Sequence, residues 1–295
     1  MWPANAIPLS VRPEKSEWRR SVQISVNHRP SEAGFSLIEA MIASALFLML
    51  LGGVSTLFGT TRDNYEDAAA KIDAQQTARI ALEQVQRDLQ VAGVGLSRLQ
   101  PPFPIIVPRV DGGIDMRVNR GQVTTFVTTA MASTTDALVV DDAAQFAIGQ
   151  FIAVYDATGS IDMVQITGLT TGPDTISHAG LSKLYSPDDG AAAAVVQTVS
   201  YRAQDAGGGI FDLIREVDGG SGAVVARNLT QVSFTFFDNA VPPAQFSPTG
   251  TAQQLLIRVI EARLDVRTEG PRLAGDGLPT IQLTTRVTPR SLVLF

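Results

Sequence analysis

The sequence predicts an α+β protein: a long N-terminal helix, apolar in its first half and amphipathic in its second, packed on a β-rich C-terminal head. Three observations predict it. The 22 residues from Ala40 to Thr61 carry no charge and are mostly Ala, Leu, Met, Ile, Phe and Val. Arg62 to about Ala92 then alternates charged and apolar residues at helical spacing. From Pro104 onward the pattern changes to short runs of Val, Thr, Phe and Ile, separated by turn residues.

The first element is the uncharged run. At ~1.5 Å rise per residue it gives about 33 Å of helix, enough to cross a bilayer core. Glu39 stands immediately before it. A lone acid near bilayer depth costs roughly 2.5–3.5 kcal/mol on insertion scales, so its presence asks for a partner. The plainer alternatives are an ordinary signal anchor or a cleaved secretory signal; the run is longer than the apolar core of about 7–15 residues in secretory signals.

In the second half of the helix, Ile72, Ala78, Leu82, Val85 and Leu89 recur at mostly three- and four-residue spacing and predict one apolar face. Asp67 with Lys71, Arg79 with Glu83, and Glu83 with Arg87 are expected as i,i+4 pairs. Gly93 and Gly95 are expected to end the helix, with Pro101 and Pro102 beyond them.

In the head, strands are expected over residues 122–129, 137–140, 150–155 and 163–169. A main sheet is expected over 195–202, 210–217, 232–237, 256–267 and 281–287. Ile260, Ala262, Leu264 and Val266 alternate with Glu261, Arg263, Asp265 and Arg267, the pattern of a half-buried strand. Gly219 to Gly222 reads as a hairpin loop, and the segment of about 130–190 as an inserted β subregion.

The chain has a net charge of −6 and no cysteine. The first gives no global signal for nucleic acid, and the second excludes disulfides, thiolate metal sites and thiol nucleophiles. Its two histidines are His28 and His178. With no ligand spacing beside His178, a solvated turn histidine is expected rather than a zinc site or a triad member. Asp141-Asp142 and Asp188-Asp189 lack the alternating ligands of a calcium loop and read as solvated turns. No catalytic residue, metal site or cofactor is predicted, and the protein is not expected to be an enzyme.

Gly34 followed by Phe35, with Glu39 at its offset and then a span-length apolar run, resembles the processing site of type IV prepilins and type II secretion pseudopilins. The resemblance implies that a prepilin peptidase/methyltransferase cuts between Gly34 and Phe35 and methylates the new amine of Phe35. The expected cut lies before the apolar run, whereas that of a secretory signal lies after it. Glu39 would then pair with that amine, in its own subunit or a neighbour's, each charge offsetting the other's desolvation. The leader of residues 1–34 is long for the family, and translation is expected to start inside it, at Val22 or Val26. The segment Ala78 to Gly93 resembles the helix of PilW-like minor pilins and of the J-type pseudopilin. Val199-Ser200-Tyr201-Arg202, Leu213-Ile214-Arg215-Glu216, residues 226–234 and the closing Thr285 to Leu292 resemble their later segments.

These resemblances imply a pilin-like fold with a leader at 1–34, a membrane and assembly half-helix at 35–61, an amphipathic half at 62–95 and a head at 96–295. The expected function is that of a PilW-like minor pilin incorporated into, priming or capping a type IV pilus. A J-type pseudopilin of type II secretion is the alternative, and a tip adhesion or DNA-uptake module the second alternative. The implied partners are the peptidase, other major and minor pilins through the N-terminal helix, the inner-membrane assembly platform, and membrane lipid before assembly. The expected location is the inner membrane, single-pass with the head outside the cytoplasm, and then the fibre.

Overall fold

The computed structural model describes residues 35–96, 103–268 and 280–292. The leader 1–34, Gly34 within it, and Pro101 and Pro102 lie outside the described residues. The chain divides into two units, Met1–Leu57 and Phe58–Phe295. The helix α1, Leu37–Val91, contributes residues to both.

In the first unit every described side chain is exposed. Within this apolar stretch the Ser44 hydroxyl donates to Met41 O at 2.9 Å and the Thr56 hydroxyl to Gly52 O at 2.8 Å. Hydroxyls satisfied by their own helix cost little in hydrocarbon. Among the described residues, α1 is the helix long and apolar enough to span a membrane.

In the second unit α1 buries Ala74, Ala78, Ala81, Leu82, Val85, Asp88 and Leu89. The early part of this face is alanine, which lets the sheet approach the helix backbone closely. Ile72, predicted to lie on it, is 53% exposed, because the face turns through Ala74 instead. The Arg79–Glu83 and Glu83–Arg87 pairs form, at 3.4 and 3.8 Å. The Asp67–Lys71 pair does not, and Arg62–Glu66 forms at 2.8 Å.

The helix ends as predicted. Gly93 and Gly95 take φ of 78° and 75°. The Gly93 N–H donates to Arg117 O at 2.7 Å, and the Ser291 hydroxyl donates to Ala92 O at 2.6 Å. Carbonyls and amides left over at a helix end need such partners.

The strands are β1 Ile106–Pro108, β2 Ile114–Val118, β3 Thr124–Phe126, β4 Leu138–Val139, β5 Phe151–Tyr155, β6 Ile161–Thr170 and β7 Thr175–His178. They continue with β8 Ala192–Gly207, β9 Ile210–Val217, β10 Ala223–Phe237, β11 Gln245–Phe246, β12 Val259–Arg267 and β13 Thr280–Val287, with a short helix α2 at Thr251–Gln254. All pairings are antiparallel. The main sheet runs β13-β12-β10-β9-β8-β2-β1, and its inner face meets α1 in one core. Ile260, Ala262, Leu264 and Val266 are buried there as the alternation predicted.

The long strand β8 joins this sheet to a second core. Its later residues pair with β2 and β9, and its first residues, Ala192 to Val196, pair with β3 and β5. Leu138, Ile152, Val154, Ile166, Ile176 and Tyr185 fill the second core, within the stretch read as an inserted subregion.

Candidate functional site

Two places carry chemistry that the sequence singled out or concealed. The first is the N-terminal motif. Phe35 precedes α1 and is 87% exposed, and Glu39 lies in the first turn of α1 and is exposed. A carboxylate there complements the unpaired amides and the positive end of the helix dipole. Gly34, the expected cut site, lies outside the described residues.

The second is a buried polar knot that sequence reasoning missed. In antiparallel pairing, directly opposed residues share a face. Tyr201 of β8 stands opposite Ile114 of β2 and Arg215 of β9, so all three point to α1. There Asp88, only 4% exposed, accepts hydrogen bonds from the Tyr201 hydroxyl at 2.8 Å and Arg215 Nε at 2.7 Å. Arg120 Nη2 donates to it at 2.9 Å and Gln84 Nε2 at 3.3 Å. One residue further on, Arg202 and Glu216 point to the opposite face and pair at 2.7 Å. The Tyr-Arg and Arg-Glu dipeptides of the sequence are therefore one inward pair and one outward pair. The signal that would have revealed Asp88 is its position among Leu82, Val85 and Leu89, a carboxylate inside an apolar stripe.

Burial opposes ionisation of Asp88, but hydrogen bonds from Arg215 and Tyr201 outweigh it and hold its pKa below the ordinary value. Burial and the neighbouring Asp88 charge push the Tyr201 phenol up. The hydrogen bond to Asp88 likewise raises Arg215. The arrangement is a closed ion cluster with a tyrosine that stays protonated. Its chemistry is fastening rather than proton transfer.

A second fastening lies in the other core. Asp156, 1% exposed, accepts from Lys183 Nζ at 2.6 Å and from the Thr158 hydroxyl at 2.7 Å. Burial raises its pKa and these bonds lower it, to about 2 on balance. His178 corrects an expectation. It is not a solvated turn residue but the last residue of β7, opposite Ile166, and 8% exposed. Its Nδ1 accepts from the Gly180 amide at 3.1 Å, and burial lowers its pKa. Among the described residues, no group of His, Asp or Glu is placed to hold a metal ion.

Residues 29–55 match a family model described as the prokaryotic N-terminal methylation motif. The chain carries a prepilin-type motif. The matched residues end within α1, and the motif together with this membrane-capable helix supports a type IV pilin-like protein, a pilin or a pseudopilin. Prepilin-type proteins are structural subunits rather than enzymes, and the motif implies processing by a prepilin peptidase and assembly with other pilins. No curated protein and no solved structure matches the chain.

Proposed function

We propose that this pilin-like chain is a PilW-like minor pilin of a type IV pilus. The observation that carries the reading is the methylation motif at 29–55 running into an uninterrupted helix whose apolar residues are exposed through Leu57. In this reading residues 1–34 are removed, 35–61 form the membrane and assembly half, 62–95 the spine, and 96–295 the head with its subregion at about 130–190. The peptidase frees the amine of Phe35, and Glu39 pairs with a subunit amine when the helix leaves the bilayer. The helix then enters a bundle of like helices, where its apolar surface is again shielded from water.

A second apolar stripe on α1 supports this assembly mode. Phe58, Tyr65, Ile72 and Ile80 are between 53% and 78% exposed and recur at seven- or eight-residue intervals. That interval is the repeat of helix-to-helix seams. Before assembly the protein is a single-pass inner-membrane protein with its head outside the cytoplasm.

Mass spectrometry of the mature N-terminus tests the processing step, and recovery in sheared fibres tests the role. A methylated Phe35 at the terminus and recovery with other pilins are expected. An uncut Gly34–Phe35 bond, or processed protein that co-purifies only with a secretion complex, would overturn the minor-pilin reading.

A further inference from the structure

A cleft of about 260 Å³ opens between α1, the bulged stretch of β10 at Arg227 and Asn228, and the end of β12. Ala70 and Ala74 leave the space, and Asp73, Thr77, Arg227 and Arg267 give it polar walls. Arg109, Arg120, Arg202, Arg215, Arg263 and Arg286 pair with carboxylates elsewhere in the head. Arg227 and Arg267 make no such pair among the described residues.

The backbone is shaped to bring Arg227 there. The β9–β10 pairing slips between Ala226 and Leu229, and the β10–β12 pairing slips between Leu229 and Gln231. Asn228, within the first slip, takes a φ of 60°. Bulges of this kind re-aim a side chain at the cost of ladder bonds, and strained residues cluster where a ligand is held.

We propose that this cleft takes an acidic side chain, Asp or Glu, from a neighbouring subunit of the fibre; the partner rests on the pilin reading above. Among the described lining residues, two guanidiniums against the one carboxylate of Asp73 leave a single positive charge, which balances a monoanion rather than a phosphate dianion. A guanidinium fork also matches the planar carboxylate, which it binds through two parallel N–H···O bonds. A lipid headgroup fits less well. Ala70 lies eight residues beyond Arg62, the first charge after the span. That is ~12 Å of helix, past the roughly 5–8 Å headgroup layer.

The test has two arms, both on the full-length chain. In detergent, sodium acetate is compared with sodium chloride and sodium phosphate at equal ionic strength. Acetate at a few times its Kd raises the unfolding temperature by about 2 °C, and Arg227→Gln with Arg267→Gln removes the rise. No acetate effect, or a larger phosphate effect lost in the same variant, overturns the proposal. So does a rise with phosphatidylglycerol bicelles, over phosphatidylcholine alone, that the variant abolishes. In cells, Arg227→Glu with Arg267→Glu lowers recovery in sheared fibres at least tenfold, with Phe35 processed and the unfolding temperature unchanged. Normal recovery of this variant, or an equal loss of stability, overturns the proposal. If wild-type protein is processed but absent from fibres, the pilin reading and the neighbouring subunit fall together, while the acetate arm still reads the cleft's preference for a carboxylate.

Discussion

Replacing Asp88 by alanine removes the acceptor on which the helix, β8 and β9 converge. Tyr201 is fully buried, so its hydroxyl would be left without a partner, at a cost of ~1–3 kcal/mol. Breaking a fully buried ion pair costs ~3–5 kcal/mol. Here the Arg215 side chain is 23% exposed and that of Arg120 51%, so both can turn partly to water. The expected loss is therefore about 3 kcal/mol. For a unit the size of Phe58–Phe295 that lowers the unfolding temperature by about 6–12 °C. Asp88→Asn keeps an acceptor for Tyr201 and should lose about half as much. Thermal unfolding of the full chain in detergent, followed by circular dichroism, measures both. A cycle with Tyr201→Phe should show coupling, since the two side chains share one bond. A drop below about 2 °C for Asp88→Ala, or strict additivity with Tyr201→Phe, would refute the knot as a fastening.

The same knot predicts a pH dependence. Asp88 has a folded pKa below the free value of 3.8, so the unfolded chain binds its proton first on acidification. Its contribution is complete above the free value and is lost as pH falls through the folded one. Asp156, at about 2, adds loss in the same direction. Wild type should therefore lose stability below about pH 4, and Asp88→Ala should show a shallower slope there.

Under the proposed processing, Glu39→Ala should leave cleavage after Gly34 intact, with the N-terminus read by mass spectrometry, and should lower recovery in sheared fibres; undiminished recovery would contradict charge pairing. Gly93→Ala should destabilise by about 1–3 kcal/mol in a urea titration. The reason is that φ is 78° and an added Cβ would lie 2.3 Å from Ser291 Oγ. A change in midpoint too small to resolve would show that the closing turn is not seated on the helix end. Lys183→Met should cost about 1–2 kcal/mol, because Asp156 keeps Thr158 and Ser160 but loses its cation. Amide exchange should quicken in β5 and β7 and not around α1; a uniform change would deny the second core its separate fastening.

The parts of the fold that were legible in the sequence are those whose pattern is set locally. The apolar run, the glycines after Val91 and the alternation in β12 each state their environment within a dozen residues. The strands that escaped are set from a distance. β2 buries Ile114, Met116 and Val118 around Asp115 and Arg117, a short alternation whose meaning depends on β8 lying alongside it. The start of β8 is a run of three alanines, Ala192 to Ala194, poor in strand propensity. It is a strand because β3 and β5 flank it, with Ala193 packed in the second core and Ala194 in a small cluster with Leu96, Phe103 and Ala153. Tertiary context overrode propensity there.

The polar knot shows the same division more sharply. Arg120, Tyr201 and Arg215 lie 32, 113 and 127 residues from Asp88, so no short window of sequence contains the knot. What the sequence did contain was each half of the contact in a segment read as resembling PilW-like minor pilins and the J-type pseudopilin: the helix 78–93, the Tyr201 strand and the Arg215 strand. In this chain the fold brings the three segments together at Asp88. A helix whose apolar face begins in alanine gains little from side-chain interlock there, and alanine faces tolerate sliding. A single carboxylate that must meet two partners on adjacent strands fixes both the rotation and the register of the helix on the sheet. A subunit pulled by its N-terminal helix would load the packed face of α1 from Ala74 onward, and Asp88, near the C-terminal end of that face, is its polar fastening. On this view the knot resists displacement along the helix axis. Asp88→Asn should therefore lower fibre recovery more than its effect on unfolding temperature predicts, and fibre recovery that simply tracks stability would confine the knot to folding.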